Sequence, residues 1–313
     1  MKIIRNPLQM QEETQRLRRR GATIGFVPTM GALHAGHLRL VTRAQHDTDI
    51  VVLSVFVNPL QFNQRRDFTT YPRPFARDAA LARRAGVDLL FAPTARGLYP
   101  PGYQTTVEVP GLARRWEGAH RPGHFRGVAT VVTKLLTLVQ PTVTYVGEKD
   151  AQQAWIIQQL VEDLHLATRV VVVPTVREPD GLAMSSRNVR LSPTERRQAL
   201  VVFHALQAAR RLLESGERRR SVVVRRMRAV VARAPSARLE YAAVVEPRTL
   251  EPVGKIIGAG GARSRPGTGH EECPQVRLLI AAWIGRTRLI DTLHVRKILC
   301  CARCASRRFT GPR

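Results

Sequence analysis

Apolar runs of strand length alternate with segments of helical period through the first half of the chain. The runs are Thr23–Val27, Ile50–Val57, Val87–Phe91, Val143–Val146 and Val170–Val173. Between them, apolar residues recur at helical spacing in Gly36–Gln45, Phe75–Ala85, Gly127–Val139 and Ala151–Leu164. This alternation predicts an α/β fold, a Rossmann-like doubly wound sheet that is mostly parallel and covered by helices on both faces. Ligands in such sheets bind beyond the strand C-termini, where the connecting loops gather. The polar motifs of this chain fall at those places: after the first run, after the second, and after Val146.

The second half changes character near Val176. Ser192-Pro193-Thr194-Glu195 reads as a capping box with proline at the first helical position, and predicts a long helix to about Leu213. A helix over Val222–Ala232 and strands over Leu239–Val245, Val276–Ile284 and Thr287–Ile290 follow. The chain is therefore divided into a Rossmann-like domain over 1–175, a smaller α+β domain over 176–295, and a basic cysteine-bearing tail over 296–313. Gly254–Pro274 is rich in Gly, Arg and Pro and is expected to be a loop. Its GAGGAR segment lacks the third glycine and the strand-to-helix setting of a dinucleotide fingerprint.

Composition changes this picture in one respect. The 44% hydrophobic content is ordinary for a globular chain, but the net charge is +26. Such a field attracts polyanions. Only five lysines occur, so arginine carries nearly all the excess, and it is spread along the chain with few aromatics. Nucleic-acid binding is accordingly not expected as the main function. Four cysteines, three of them crowded at 300, 301 and 304, argue against a disulfide scaffold and fit a reducing compartment. Cys301 and Cys304 form a lone Cys-x-x-Cys; with Cys273, His270 and His294 it suggests a zinc site that no second paired motif supports. The N-terminus has no signal-peptide core, and Val128–Val139, interrupted by Lys134, is too short to span a bilayer. A cytoplasmic protein is expected.

Candidate chemistry begins at Phe26–Leu40, FVPTMGALHAGHLRL, where a strand enters a tight turn and His34 and His37 open a helix. Free backbone N–H groups and the helix dipole at such a terminus would favour an anion. Gly147-Glu148-Lys149-Asp150 follows the Val143–Val146 run; Asp150 is placed for ribose hydroxyls or for capping the next helix, and Lys149 for phosphate oxygens. Met184-Ser185-Ser186-Arg187-Asn188 offers two hydroxyls and a guanidinium, either a grip for a leaving diphosphate or a serine-rich linker.

The segments PTMGALHAGH, SVFVNPLQF, DFTTYPR, EGAHRPGHFRGVATVV, GEKDAQQ and DGLAMSSRN occur in this order from Pro28 to Asn188. Together they resemble the pantoate–β-alanine ligase family over about Met1–Leu293. The resemblance implies ATP-dependent joining of pantoate to β-alanine, with release of AMP and diphosphate, by a magnesium-requiring (Mg2+) cytoplasmic homodimer. His34, His37 and Lys149 would be catalytic, acting on the phosphates. Met30, Gly147, Lys149, Asp150, Val176, Met184, Ser185, Ser186 and Arg187 would bind ATP. Gln61, Gln153, Asn58, Arg121 and His124 would bind pantoate, the last three on further motif positions beside the two glutamines. Arg66 and Arg77 stand where family members often carry acidic residues, which leaves Asp78 as the nominated metal ligand. The competing readings are a nucleotidyltransferase acting on a different acid or phosphate, which would not need Gln61 and Gln153, and a nucleic-acid binder driven by charge.

Overall fold

A computed structural model describes residues 1–254 and 275–296. The chain divides into two compact units. One is Met1–Arg177 with Met184–Ser186; the other is Glu178–Ala183 with the residues from Arg187 onward.

The first unit is built on six strands: β1 (Lys2–Ile4), β2 (Ile24–Thr29), β3 (Ile50–Val55), β4 (Leu89–Phe91), β5 (Val143–Gly147) and β6 (Arg169–Val173). They lie in the order β1-β4-β3-β2-β5-β6, and every pairing is parallel. Successive strand residues point to opposite faces. Phe26, Val52 and Phe91 pack into one core with the helices His124–Val139 and Ala151–Asp163. Their neighbours Val27, Leu53 and Leu90 pack into another with Ala35–Asp47 and Phe75–Arg84. Burial on both faces explains why these strands read as unbroken apolar runs. The winding runs from β2 through β3 to β4 and β1 on one side and through β5 to β6 on the other. The reversal between β2 and β5 is the switch point at which open α/β sheets bind ligands.

The second unit carries β7 (Ala237–Val245), β8 (Val276–Ile284) and β9 (Thr287–Val295) as an antiparallel sheet in that order. Helices Leu200–Glu214 and Arg220–Val231 cover it, through a core that includes Leu206, Leu213, Met227, Leu278 and Ile280.

The α/β class and the five strands expected for the first unit are present, with boundaries shifted by up to two residues. Three features differ from expectation. Strand β1 and helix Pro7–Arg19 were not anticipated: β1 has three residues, and the helix buries only Met10 and Thr14, too little to show a periodic apolar face. The capping box forms, with Ser192 Oγ accepting from the Glu195 N–H at 3.3 Å and Glu195 Oε2 from the Ser192 N–H at 2.9 Å. Its helix ends at Gln198, and a separate one starts at Leu200. Strand β9 runs to Val295, because pairing with β8 continues through polar Asp291, Thr292 and His294. The expectations for Gly254–Pro274, apart from Gly254, and for the tail beyond Arg296, including all four cysteines, lie outside the described residues.

The capping box yields a direct expectation. Ser192→Ala removes one reciprocal bond and lowers stability by about 1 kcal/mol, read as a lower midpoint in urea unfolding. An unchanged midpoint would show that the box contributes nothing.

Candidate active site

The loop leaving β2 is held by its own surroundings. Thr29 Oγ1 donates to the Ser54 carbonyl on β3 at 2.6 Å and accepts the Gly31 N–H at 3.1 Å. Gly31 and Ala32 both take left-handed backbone, with φ of 82° and 50°. That strained turn aims the Ala32 and Leu33 N–H groups at Asp78, whose two carboxylate oxygens accept them at 2.8 Å each. Asp78 is 1% exposed, on the helix Phe75–Arg84. Charge-assisted bonds of this type are about twice as strong as neutral ones, enough to hold a left-handed alanine in place.

His34 is the N-cap of the helix Ala35–Asp47. Its Nδ1 accepts the Gly36 N–H at 3.1 Å, while His37 Nδ1 accepts the His34 N–H at 3.4 Å. The pair is a capping box made of imidazoles in place of the usual hydroxyl and carboxylate. The His34 ring folds back over Gly36, where a Cβ would come within 2.8 Å of it, so the glycine between the histidines is a steric requirement. Because both Nδ1 atoms face backbone donors, each neutral ring carries its proton on Nε2. Burial, followed by the charge of Lys149, lowers His34 to about 4. Burial, then His34 and Lys149, lowers His37 to about 3. Near neutral pH the site thus holds two uncharged rings, 4.0 Å apart between centroids, each with a fixed Nε2–H donor.

Across the switch point, β5 ends in Gly147 and a 3-10 turn, Glu148–Asp150. Lys149 is largely buried, with its Nζ 3.5 Å from Asp150 Oδ1, and its charge reaches both histidines. Asp150 occupies the N-cap position of Ala151–Asp163 without capping it. In the returning segment, Met184 N–H donates to the Val176 carbonyl at 3.0 Å, and Ser186 Oγ lies 3.4 Å from the hydroxyl of buried Tyr71. Met184 also approaches Gly36. Arg187 belongs to the second unit, as the N-cap of the 3-10 turn Asn188–Arg190.

A third group surrounds Gln61, at the end of the 3-10 turn Pro59–Gln61. That turn docks on the helix His124–Val139 at Gly127, where a Cβ would fall 2.3 Å from the Leu60 carbonyl oxygen. Gln61 Nε2 lies 2.9 Å from Met30 Sδ, and Gln61 Oε1 accepts from Asn58 Nδ2 at 3.1 Å. His124 Nδ1 is 2.8 Å from the Gln61 carbonyl, with its Nε2 3.0 Å from Arg121. A guanidinium only donates, so His124 carries its proton on Nδ1 and gives it to Gln61. Gln153 sits half-exposed on the first turn of Ala151–Asp163. Its neighbour Gln152 is instead turned into the structure, donating to the carbonyls of Leu112 and Arg115.

The geometry corrects three expectations. The N–H groups of Gly31, Ala32, Leu33, His34 and Gly36 are all partnered within the chain, so these five do not form a free cradle for an anion. Asp78 is committed to the loop with both oxygens and is inaccessible, so its nomination as a metal ligand fails. Among the described residues no group of three His, Cys, Asp or Glu side chains is arranged to hold a metal ion. Asn58 is 1% exposed, and both ends of its amide are bonded within the chain, so it supports Gln61 instead of touching substrate. Sequence reasoning missed the roles of Thr29 and Tyr99, whose contacts span 25 and 41 residues; Thr29 lies within PTMGALHAGH, but its partner Ser54 is distant in sequence, and no local pattern marks Tyr99.

Comparison with known proteins identifies the family. A family model described as pantoate-beta-alanine ligase matches residues 2–294. A pantothenate synthetase of Heliobacterium modesticaldum is 48% identical over 299 residues, covering 94% of this chain and 99% of that protein. The crystal structure of pantothenate synthetase from Thermus thermophilus is 44% identical with a TM-score of 0.84, covering 94% of this chain and 99% of that one. A pantoate-beta-alanine ligase from Francisella tularensis, crystallised with a β,γ form of ATP and β-alanine, is 34% identical with a TM-score of 0.73, covering 94% and 97%.

The paired imidazoles can be tested by nitrogen and carbon NMR of labelled histidine. His34 and His37 are expected as Nε2–H tautomers at pH 7, with protonation midpoints below pH 5. Titration of either near the ordinary value of 6.5 would contradict the geometry.

Proposed function

The chain belongs to the pantoate–β-alanine ligase family, and from that membership we propose how its switch-point site condenses pantoate with β-alanine at the expense of ATP. In the first step an oxygen of the pantoate carboxylate attacks the α-phosphorus of ATP. An acyl–phosphate bond forms, the bond to the β-phosphate breaks, and diphosphate leaves. In the second step the free amine of β-alanine attacks the acyl carbon. The amide bond forms, the carbon–oxygen bond to AMP breaks, and the amine proton passes to solvent.

The observation that carries the reading is the meeting, at the β2/β5 switch point, of two neutral Nε2–H donors with one partly buried ammonium. Neutral donors stabilise charge building on phosphate oxygens without repelling Lys149, which supplies the cation. Ser185 and Ser186 offer hydroxyls to the diphosphate, and Arg187 is assigned to it by family resemblance alone. Gly147 and Asp150 serve the ribose, and Met30, Val176 and Met184 line the nucleotide site. Gln61 and Gln153 present amides to pantoate, braced by Asn58, Arg121 and His124. No residue need act as a nucleophile: alignment of carboxylate and α-phosphorus contributes several kcal/mol.

Magnesium enters the proposal as a companion of the triphosphate, since Mg2+ keeps much of its water and binds through substrate phosphates. No residue is assigned to it and no step is routed through it. A cytoplasmic location and a homodimeric state complete the reading, both resting on family resemblance. Among the described residues no helix is long and apolar enough to cross a membrane.

The test is AMP release with pantoate, in the presence and absence of β-alanine. Wild type is expected to need pantoate. Lys149→Ala is expected to lose about a hundredfold in rate, and Gln153→Ala to raise the pantoate KM about tenfold. AMP release with another acid but not with pantoate would overturn the assignment and favour a different nucleotidyltransferase.

A further inference from the structure

We infer that Tyr99 is a positioning residue that reinforces the Asn58 orientation set by the Gly127 carbonyl and the Leu60 N–H, so that Gln61 is held with its N–H donors, and not its carbonyl, toward the pantoate subsite. The inference rests on the pantoate reading above and adds a residue and a polarity to it.

Two backbone groups beside Asn58 have a fixed hydrogen-bonding sense. The Gly127 carbonyl accepts only, and it lies 3.0 Å from one end of the Asn58 amide, which must therefore be Nδ2. The Leu60 N–H donates only, and it lies 3.3 Å from the other end, which must be Oδ1. Tyr99 Oη is 2.8 Å from that same Oδ1, so the phenol donates. The remaining Asn58 N–H points at Gln61 at 3.1 Å and requires an oxygen there. Gln61 is left with its NH2 group at the opposite end, against Met30 Sδ at 2.9 Å. A thioether is a weak acceptor, so a substrate carboxylate or hydroxyl oxygen displaces it at little cost.

Tyr99 is well held for this task. It lies at the C-cap of the short helix Ala95–Leu98, half-buried, with its ring 6.2 Å from Phe56 and 5.0 Å from Tyr103 between centroids. The Lys134 ammonium sits 4.6 Å from the Tyr103 ring and 5.8 Å from that of Tyr99. Burial, with Tyr103 beside it, raises the Tyr99 hydroxyl above the usual phenol range, so it remains a donor at any working pH. Without that donor, Asn58 Oδ1 keeps only the longer Leu60 bond, and the polarity passed to Gln61 is loosened.

A double-mutant cycle between Tyr99→Phe and Gln61→Ala tests the inference, with KM for pantoate, KM for ATP and kcat measured separately. Tyr99→Phe is expected to raise the pantoate KM about fivefold while ATP KM and kcat stay within about twofold. On the Gln61→Ala background the same change is expected to add nothing, because Tyr99 acts through that amide. Thermal unfolding of both single variants confirms that folded protein is compared. An unchanged pantoate KM in Tyr99→Phe, an equal loss for ATP, or a penalty retained in full on Gln61→Ala would overturn the inference. A wild-type enzyme that uses another acid overturns the ligase reading instead, and the cycle run with that acid still decides the role of Tyr99.

Discussion

Five backbone N–H groups of the loop after β2 and the helix start beyond it are satisfied from within the chain, and much of the site follows from that constraint. A loop at a sheet's switch point ordinarily offers bare N–H groups to an anion. Here Thr29, Asp78 and the two histidine rings take those of Gly31, Ala32, Leu33, His34 and Gly36. The loop is thereby held by the chain's own groups, and the two imidazoles are held with it. The same bonds that cap the helix occupy both Nδ1 atoms. One arrangement therefore sets helix start, ring orientation and tautomer together.

A second chain of constraint runs through amides. Asn58 reads the polarity of two backbone groups, Gly127 C=O and Leu60 N–H, and passes it to Gln61. Neither amide is free to turn over, since reversal would place like groups face to face in a buried setting, a penalty of about 1–3 kcal/mol for each unsatisfied group. The nucleotide side and the acid side are thus preorganised by the same principle. Groups of fixed hydrogen-bonding sense orient groups that could point either way.

Much of the fold was legible in the sequence because strands buried on both faces show as uninterrupted apolar runs. Lys2–Ile4 was too short for that signal, and Pro7–Arg19 packs too little apolar surface to reveal its period. His34, His37 and Lys149 were legible because position alone, after β2 and after β5, placed them at the switch point. The role of Asp78 was not: its partners are Ala32 and Leu33, and nothing near it in sequence distinguishes a loop anchor from a metal ligand. Asn58 was misread for a related reason. Its position in a motif is visible, whereas its burial, and the Tyr99 and Gly127 groups that consume its amide, appear only in three dimensions.

The central claim is that this preorganised site joins the acid to AMP before the amine arrives. Pantoate labelled with oxygen-18 in its carboxylate tests it most directly, by mass spectrometry of the AMP released in a single turnover with β-alanine. The acyl-adenylate route predicts one labelled oxygen in each AMP, carried over when the amine cleaves the carbon–oxygen bond. AMP without label would contradict the account, because the carboxylate would then never have been bonded to the α-phosphorus.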